Sequence, residues 1–249
     1  MSASTSQPVH LKQTPLCASV NATTNQTAFA YADGFVSLYR RDGDSFAPSF
    51  SIDTKSTAIC LCLTPDAILQ GTCNGISLIP FGGEISEVET DSPVTSLTHH
   101  RRYVFFGTCD GHIGAFAREK PSDISYLKLL FGSVSDITFN DSHVYAIGSN
   151  GHCYSVLFED DELALSHEFK PDTRGIPSGI AVNNTYLVSL YTNGSAQLWD
   201  LESKAIVDTT HTLKDAKVSI SDSSEILFVS CTDSEVFLVG EGRLEKQHQ

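Results

Sequence analysis

"VFFGTCDGHIGAF" (residues 104–116) joins two apolar runs through an Asp-Gly turn, and five other stretches repeat the pattern. They are "AFAYADGFVSLYR" (28–40), "AILQGTCNGISLI" (67–79), "VYAIGSNGHCYSV" (144–156), "YLVSLYTNGSAQLWD" (186–200) and "ILFVSCTDSEVFLV" (226–239). The second turn residues, Gly34, Gly75, Gly111, Gly151, Gly194 and Ser234, are spaced 41, 36, 40, 43 and 40 residues apart. Asp-Gly and Asn-Gly suit two-residue hairpin turns in which both turn positions take positive φ, so each unit reads as a β-hairpin. A third run precedes each hairpin, as in "AICLCLT" (58–64), "VSDITFN" (134–140) and "SGIAVN" (178–183). A fourth, weaker run follows most of them, as in "SYLKLLF" (125–131) and "KAIVDTT" (204–210). Alternation and β-branched or aromatic content make these strands, and no stretch holds a helical period over ten or more residues.

Four antiparallel strands per roughly 40 residues, without helices, is the period of a β-propeller blade. The expected fold class is all-β, a single propeller of six four-stranded blades. Five and six positions after the turn residue stand Tyr39-Arg40, Phe116-Ala117, Val156-Leu157, Trp199-Asp200 and Val239-Gly240, while the second unit is one residue short and ends Ile79-Pro80. With its period and the Trp199-Asp200 dipeptide, the chain resembles the WD-repeat family from about residue 8 to residue 239. The resemblance implies that the dipeptide's first residue packs between neighbouring blades. Trp199-Asp200 is the one intact copy, and of the repeat's usual Gly-His only His211 stands near the expected offset.

Residues 1–7 are expected to be a flexible segment, 8–239 the propeller and 240–249 a polar tail. Propellers avoid an open sheet edge by completing the last blade with a strand from the other end of the chain. "PVHLKQT" (Pro8 to Thr14) alternates suitably, so it is expected to supply the outer strand of blade six. The rival is an open ring completed by a partner's strands.

Acidic residues outnumber basic ones 30 to 16, giving a net charge of -14 and a pI near 4.9. Such a field repels nucleic acid and anionic membrane, so the expected partners are other proteins, with neither direct nucleic-acid binding nor membrane insertion. The stretch "MSASTSQPVH" lacks the pattern of a secretory signal and no run is long enough to span a membrane, which reads as an intracellular protein, cytoplasmic or nuclear. Seven cysteines, mostly in apolar runs, read as reduced packing residues rather than disulfides. Asn21, Asn25, Asn140, Asn183 and Asn193 begin Asn-X-Ser/Thr triplets and read as turn residues.

Chemical motifs are few. "GTCNG" and "GTCDG" mimic a nucleophile elbow, but that elbow needs a strand, a turn and a helix, so Cys73 and Cys109 read as packing residues near a turn. Cys60 and Cys62 share a strand face without a second ligand pair, so no metal or cofactor is expected. "HHRR" (His99 to Arg102) falls at a turn between strands, and "EDDE" (Glu159 to Glu162) in the connection leaving blade four, where it could greet a basic peptide.

The resemblance implies a rigid, non-enzymatic platform for other proteins, an adaptor or scaffold subunit of a complex. Its working face is expected where hairpin turns and entering connections converge, with Lys55, Arg174 and Lys214 placing positive charge there against an acidic partner segment. The alternative is a propeller hydrolase using Asp110, His112 and His152, which requires both imidazoles and a carboxylate to converge.

Overall fold

The computed structural model describes residues 13–21, 23–42, 45–129, 132–172, 174–211, 216–220, 226–230, 236–240 and 243–247. Lys214 and the expected closing strand, except for Gln13 and Thr14, lie outside the described residues; those two are not in a strand.

Among the described residues the chain folds into six four-stranded sheets, each in sequential order and joined by antiparallel pairing. The first holds β1 (Cys17–Asn21), β2 (Gln26–Ala30), β3 (Phe35–Asp42) and β4 (Ser45–Asp53). The second holds β5 (Cys60–Leu63), β6 (Ala67–Gly71), β7 (Gly75–Pro80) and β8 (Ser86–Glu89). The third holds β9 (Val94–His100), β10 (Tyr103–Thr108), β11 (His112–Ala117) and β12 (Ser125–Lys128). The fourth holds β13 (Val134–Phe139), β14 (His143–Gly148), β15 (Cys153–Glu159) and β16 (Glu162–Phe169). The fifth holds β17 (Pro177–Val182), β18 (Tyr186–Tyr191), β19 (Ala196–Asp200) and β20 (Ile206–Thr210). The sixth holds β21 (Ala216–Ile220), β22 (Ile226–Ser230), β23 (Val236–Gly240) and β24 (Arg243–Gln247).

The last of these corrects the expected polar tail. Arg243–Gln247 pairs along β23, so the sixth sheet takes its fourth strand from the segment that follows it directly. An outermost strand needs few apolar side chains to pair through its backbone, which is why "RLEKQ" gave no strand signal.

The chain divides into two compact units, one ending at Leu97 and the other beginning at Thr98. In the first, Val36 and Leu38 of β3 pack with Leu61, Leu63, Ile68 and Ile79 of the second sheet. In the second unit, Phe105 and Ile113 meet Val134, Ile137 and Val144, and further along Ile147 and Phe169 meet Ile180, Leu187 and Trp199. Each cluster thus lies between successive sheets. Trp199 is 3 % exposed, sets its ring edge-on to Phe169 at 5.5 Å and donates from Nε1 to Ser189 Oγ at 3.3 Å. Asp200 plays a local part: its Oδ1 accepts from the Ser203 N–H and hydroxyl, both at 2.7 Å, and these bonds hold its carboxyl below the usual carboxylate range. His211 is exposed and so contributes to no buried network.

The hairpin turns differ from the two-residue form. Gly34, Gly151 and Gly194 donate to the residue three back, Tyr31, Gly148 and Tyr191, and Gly111 does so to Thr108. Only the glycine of each turn has positive φ; Asp33, Asp110, Asn150 and Asn193 do not. These are three-residue loops, a type I turn followed by a left-handed glycine. The Asp or Asn is needed for its side chain instead: Oδ1 of Asp33, Asn150 and Asn193 accepts the N–H two residues on, at 3.2, 3.1 and 3.0 Å. The second sheet departs from this, since Gly75 has φ +144° and a Cβ there would lie 2.0 Å from the Val88 carbonyl oxygen.

Two glycine substitutions separate these roles. Gly151→Ala meets no atom closer than 3.5 Å, so urea denaturation should register a loss of about 1 kcal/mol from backbone strain alone. Gly75→Ala must push β8 away from β7, and its loss should be larger by roughly 1–3 kcal/mol.

Candidate binding face

Hairpin turns and the connections between sheets meet at one end of each of the first five sheets, and backbone hydrogen bonds tie them together. Thr54, just past β4, donates to the Gly34 carbonyl from both N–H (3.0 Å) and Oγ1 (2.8 Å). Leu129 N–H reaches Gly111 O at 3.1 Å in the third sheet, and Tyr191 OH reaches Gly151 O at 3.0 Å. The entering connections are held as well: Ser149 N–H donates to Ser133 O, and Thr192 N–H to Ile176 O, both at 2.8 Å. Loops fixed in this way project their side chains from an ordered backbone.

Lys55 and Arg174 both stand on such connections, exposed and on different compact units. Lys55 takes φ +58° and its N–H donates to Asp53 Oδ1 at 2.9 Å, while the Arg174 carbonyl accepts from Asn193 Nδ2 at 3.1 Å. Two fully buried glutamines anchor these same connections. Gln70 Nε2 donates to Ser56 O at 2.8 Å, and Gln197 Nε2 donates to Asp172 Oδ1. Neither glutamine was singled out from sequence, although a lone amide in "AILQG" or "AQLWD" is a readable signal: a polar group in an apolar run needs a partner.

The two histidines that follow turn glycines form separate clusters. His112 Nδ1 lies 3.0 Å from Asp110 Oδ2; Thr108 Oγ1 donates to Asp110 Oδ1 at 2.6 Å and accepts the His112 N–H at 3.0 Å. Lys128, directly across β12, donates to the Asp110 carbonyl and sits 3.8 Å from its carboxylate. In the fourth sheet His152 Nδ1 meets Glu168 Oε1 at 2.6 Å, with Lys170 Nζ 3.5 Å from Oε2. Each imidazole therefore engages a carboxylate of its own sheet, and neither bonds a hydroxyl or thiol through its ring. Lys128, on β12, and Lys170, just past β16, add positive charge at this end of the third and fourth sheets.

The cysteine readings divide. Cys62 and Cys153 are buried, and burial pushes each thiol up to about 12, as for a packing residue. Cys73 and Cys109 are exposed turn residues, correcting their assignment to packing. Cys109 takes the position ahead of Asp110 in a three-residue loop, and Cys73 the one ahead of Asn74 in the shorter turn closed by the Thr72 N–H to Gly75 O bond; both thiols lie outside the sheet packing. No group of three His, Cys, Asp or Glu among the described residues could hold a metal ion. Asn21, Asn140, Asn183 and Asn193 accept backbone N–H groups at turns, consistent with their reading.

No family model matches this chain, and no curated protein matches it in sequence. Among solved structures it is similar to the crystal structure of the WD40 β-propeller domain of Doa1, with a TM-score of 0.73 at 15 % identity, covering 96 % of this chain and 83 % of that one. The fold is that of a WD40 β-propeller. No helix among the described residues is long and apolar enough to cross a membrane.

Glu168 offers a test of the turn-end electrostatics. The hydrogen bond from His152, assisted by Lys170 and opposed by partial burial, holds its carboxyl below the usual range. A depressed folded pKa stabilises above the unfolded value, about 4.3, and that contribution is lost as pH falls through the folded pKa. Glu168→Gln should therefore lower the urea midpoint at neutral pH, slightly because the group is only partly buried, and the difference between the two proteins should shrink as pH falls below about 4.3.

Proposed function

We propose that this chain is a non-enzymatic protein interaction platform, an adaptor or scaffold subunit of an intracellular complex, whose six sheets are the blades of one propeller. The observation that carries the reading is the bonding of turns to connections at one end of each of the first five sheets, on a fold similar to a WD40 propeller. A backbone fixed before binding loses little conformational freedom on association, so exposed side chains there bind without an ordering cost. Lys55, Arg174 and Lys214 present cations to an acidic segment of the partner, against the acidic average of the chain. That β24 fills the outer position of the sixth sheet supports a ring completed without a partner's strand. The histidine clusters are read as clamps of their turns: each imidazole's Nδ1 is engaged with a carboxylate that also meets a lysine.

Gentle co-purification of the tagged protein from its own cells, followed by quantitative mass spectrometry, should yield a small set of stoichiometric partners. With such a partner in hand, alanine at Lys55, Arg174 and Lys214 together should weaken binding roughly tenfold at low salt, with a smaller effect as ionic strength rises. Unchanged affinity in the triple variant would remove these residues from the interface.

A further inference from the structure

The "EDDE" segment is not the connection leaving the fourth sheet. It is the tight turn between β15 and β16, with Glu159 paired to Glu162 and both Asp160 (φ +51°) and Asp161 (φ +64°) left-handed. This turn lies at the opposite end of its sheet from the Asx-bonded turns, and there it borders a cavity of about 470 Å³. That volume is in the range of sites that enclose a few side chains of a ligand.

Tyr103, Phe116 and Phe158 give the cavity an aromatic wall, and Asp123, Asp161 and Glu162 give it acidic edges. The wall is held by a row of rings that passes through buried Phe105: Tyr103 on Phe158 at 4.8 Å, Phe158 on Phe105 at 5.0 Å, Phe105 on Phe139 at 5.2 Å and Phe139 on His100 at 4.3 Å. Tyr103 OH donates to Asp161 Oδ1 at 2.6 Å and accepts from Arg102 Nη2 at 2.6 Å, which fixes one edge to the wall. Lys120 is the cation of the lining, so three carboxylates face one ammonium, and no ion pair joins them among the described residues.

We propose that this cavity docks a short basic segment of another protein, with an apolar side chain against the aromatic wall and flanking Lys or Arg side chains on the carboxylates. Charge complementarity selects this occupant. An acidic segment would meet a net negative lining, and a purely apolar one would leave the carboxylates facing it without counter-charge. Aromatic faces beside carboxylates also attract the cation itself. The site is distinct from the turn end of the sheets, so one chain can hold two segments of opposite charge.

The test is fluorescence anisotropy of the full chain with a labelled Lys-Leu-Lys-Phe-Lys peptide and its Glu-Leu-Glu-Phe-Glu counterpart. The basic peptide should saturate and weaken with salt, and the acidic one should not bind at this site. Asp123→Asn, Asp161→Asn and Glu162→Gln combined keep the shape and should weaken the basic peptide about tenfold. Ser122→Trp, an exposed lining position, should fill the cavity and abolish binding while the melting temperature stays near that of the parent. Lys55→Ala with Arg174→Ala should leave this affinity unchanged, which keeps the test independent of the turn-end reading. Absence of saturable binding, equal affinity for the two peptides, or an affinity untouched by both the triple variant and Ser122→Trp would overturn the proposal. The last outcome would assign the attraction to the overall charge of -14.

Discussion

Everything in this molecule depends on burial between faces of successive sheets. A four-stranded sheet with apolar residues on both faces cannot shelter them alone, so its neighbour must. The clusters show how this is met: Ala28 to Leu38 share one with Leu61 to Ile79, and Ala181 to Leu198 share another with Val239 and Leu244. Each fully buried Leu, Ile or Phe contributes roughly 1.5–3 kcal/mol through area removed from water. Polar side chains add direction to this packing. Asp136 Oδ2 accepts the Ile180 N–H at 3.0 Å, Ser19 Oγ the Leu63 N–H at 3.0 Å and Asp208 Oδ2 the Leu244 N–H at 2.8 Å, each fixing one sheet against the next.

The same constraint shapes the two ends of the sheets. Packed strands leave only their turns and connections free to vary, and here those segments are bonded to each other. At the turn end, buried Gln70 and Gln197 carry order outward from the core to the loops beside Lys55 and Arg174. At the other end of the third and fourth sheets, order passes along rings from buried Phe105 through Phe158 to Tyr103. Both candidate surfaces thus inherit their rigidity from the interior.

How legible was this in the sequence? The period, the strand runs and the turn glycines were readable, because hydrophobic alternation and positive φ are local demands. The turn type was not, since Asp-Gly serves both the two-residue form and the type I turn with a left-handed glycine, and loop length decides between them. That ambiguity also misplaced Cys109. β24 was missed because Leu244 is the lone apolar residue in Arg243–Gln247, and backbone pairing has no side-chain signature. Lys55 and Arg174 stand on exposed connections, which follow from the spacing of the strand runs, whereas the clusters around Asp110 and Glu168 needed the register of β12 and β16 to become visible. The cavity wall was beyond reach, for Tyr103 and Phe158 belong to different sheets.

Each sheet takes its four strands from one uninterrupted run of chain. Strand pairing is therefore entirely between near neighbours in sequence, and the closures that make a sheet span a few tens of residues at most. As the chain leaves the ribosome, a whole sheet can pair before the next one exists, and each new sheet then arrives beside a face already formed. Synthesis and assembly run in the same direction, so the order of the gene is also an order of construction.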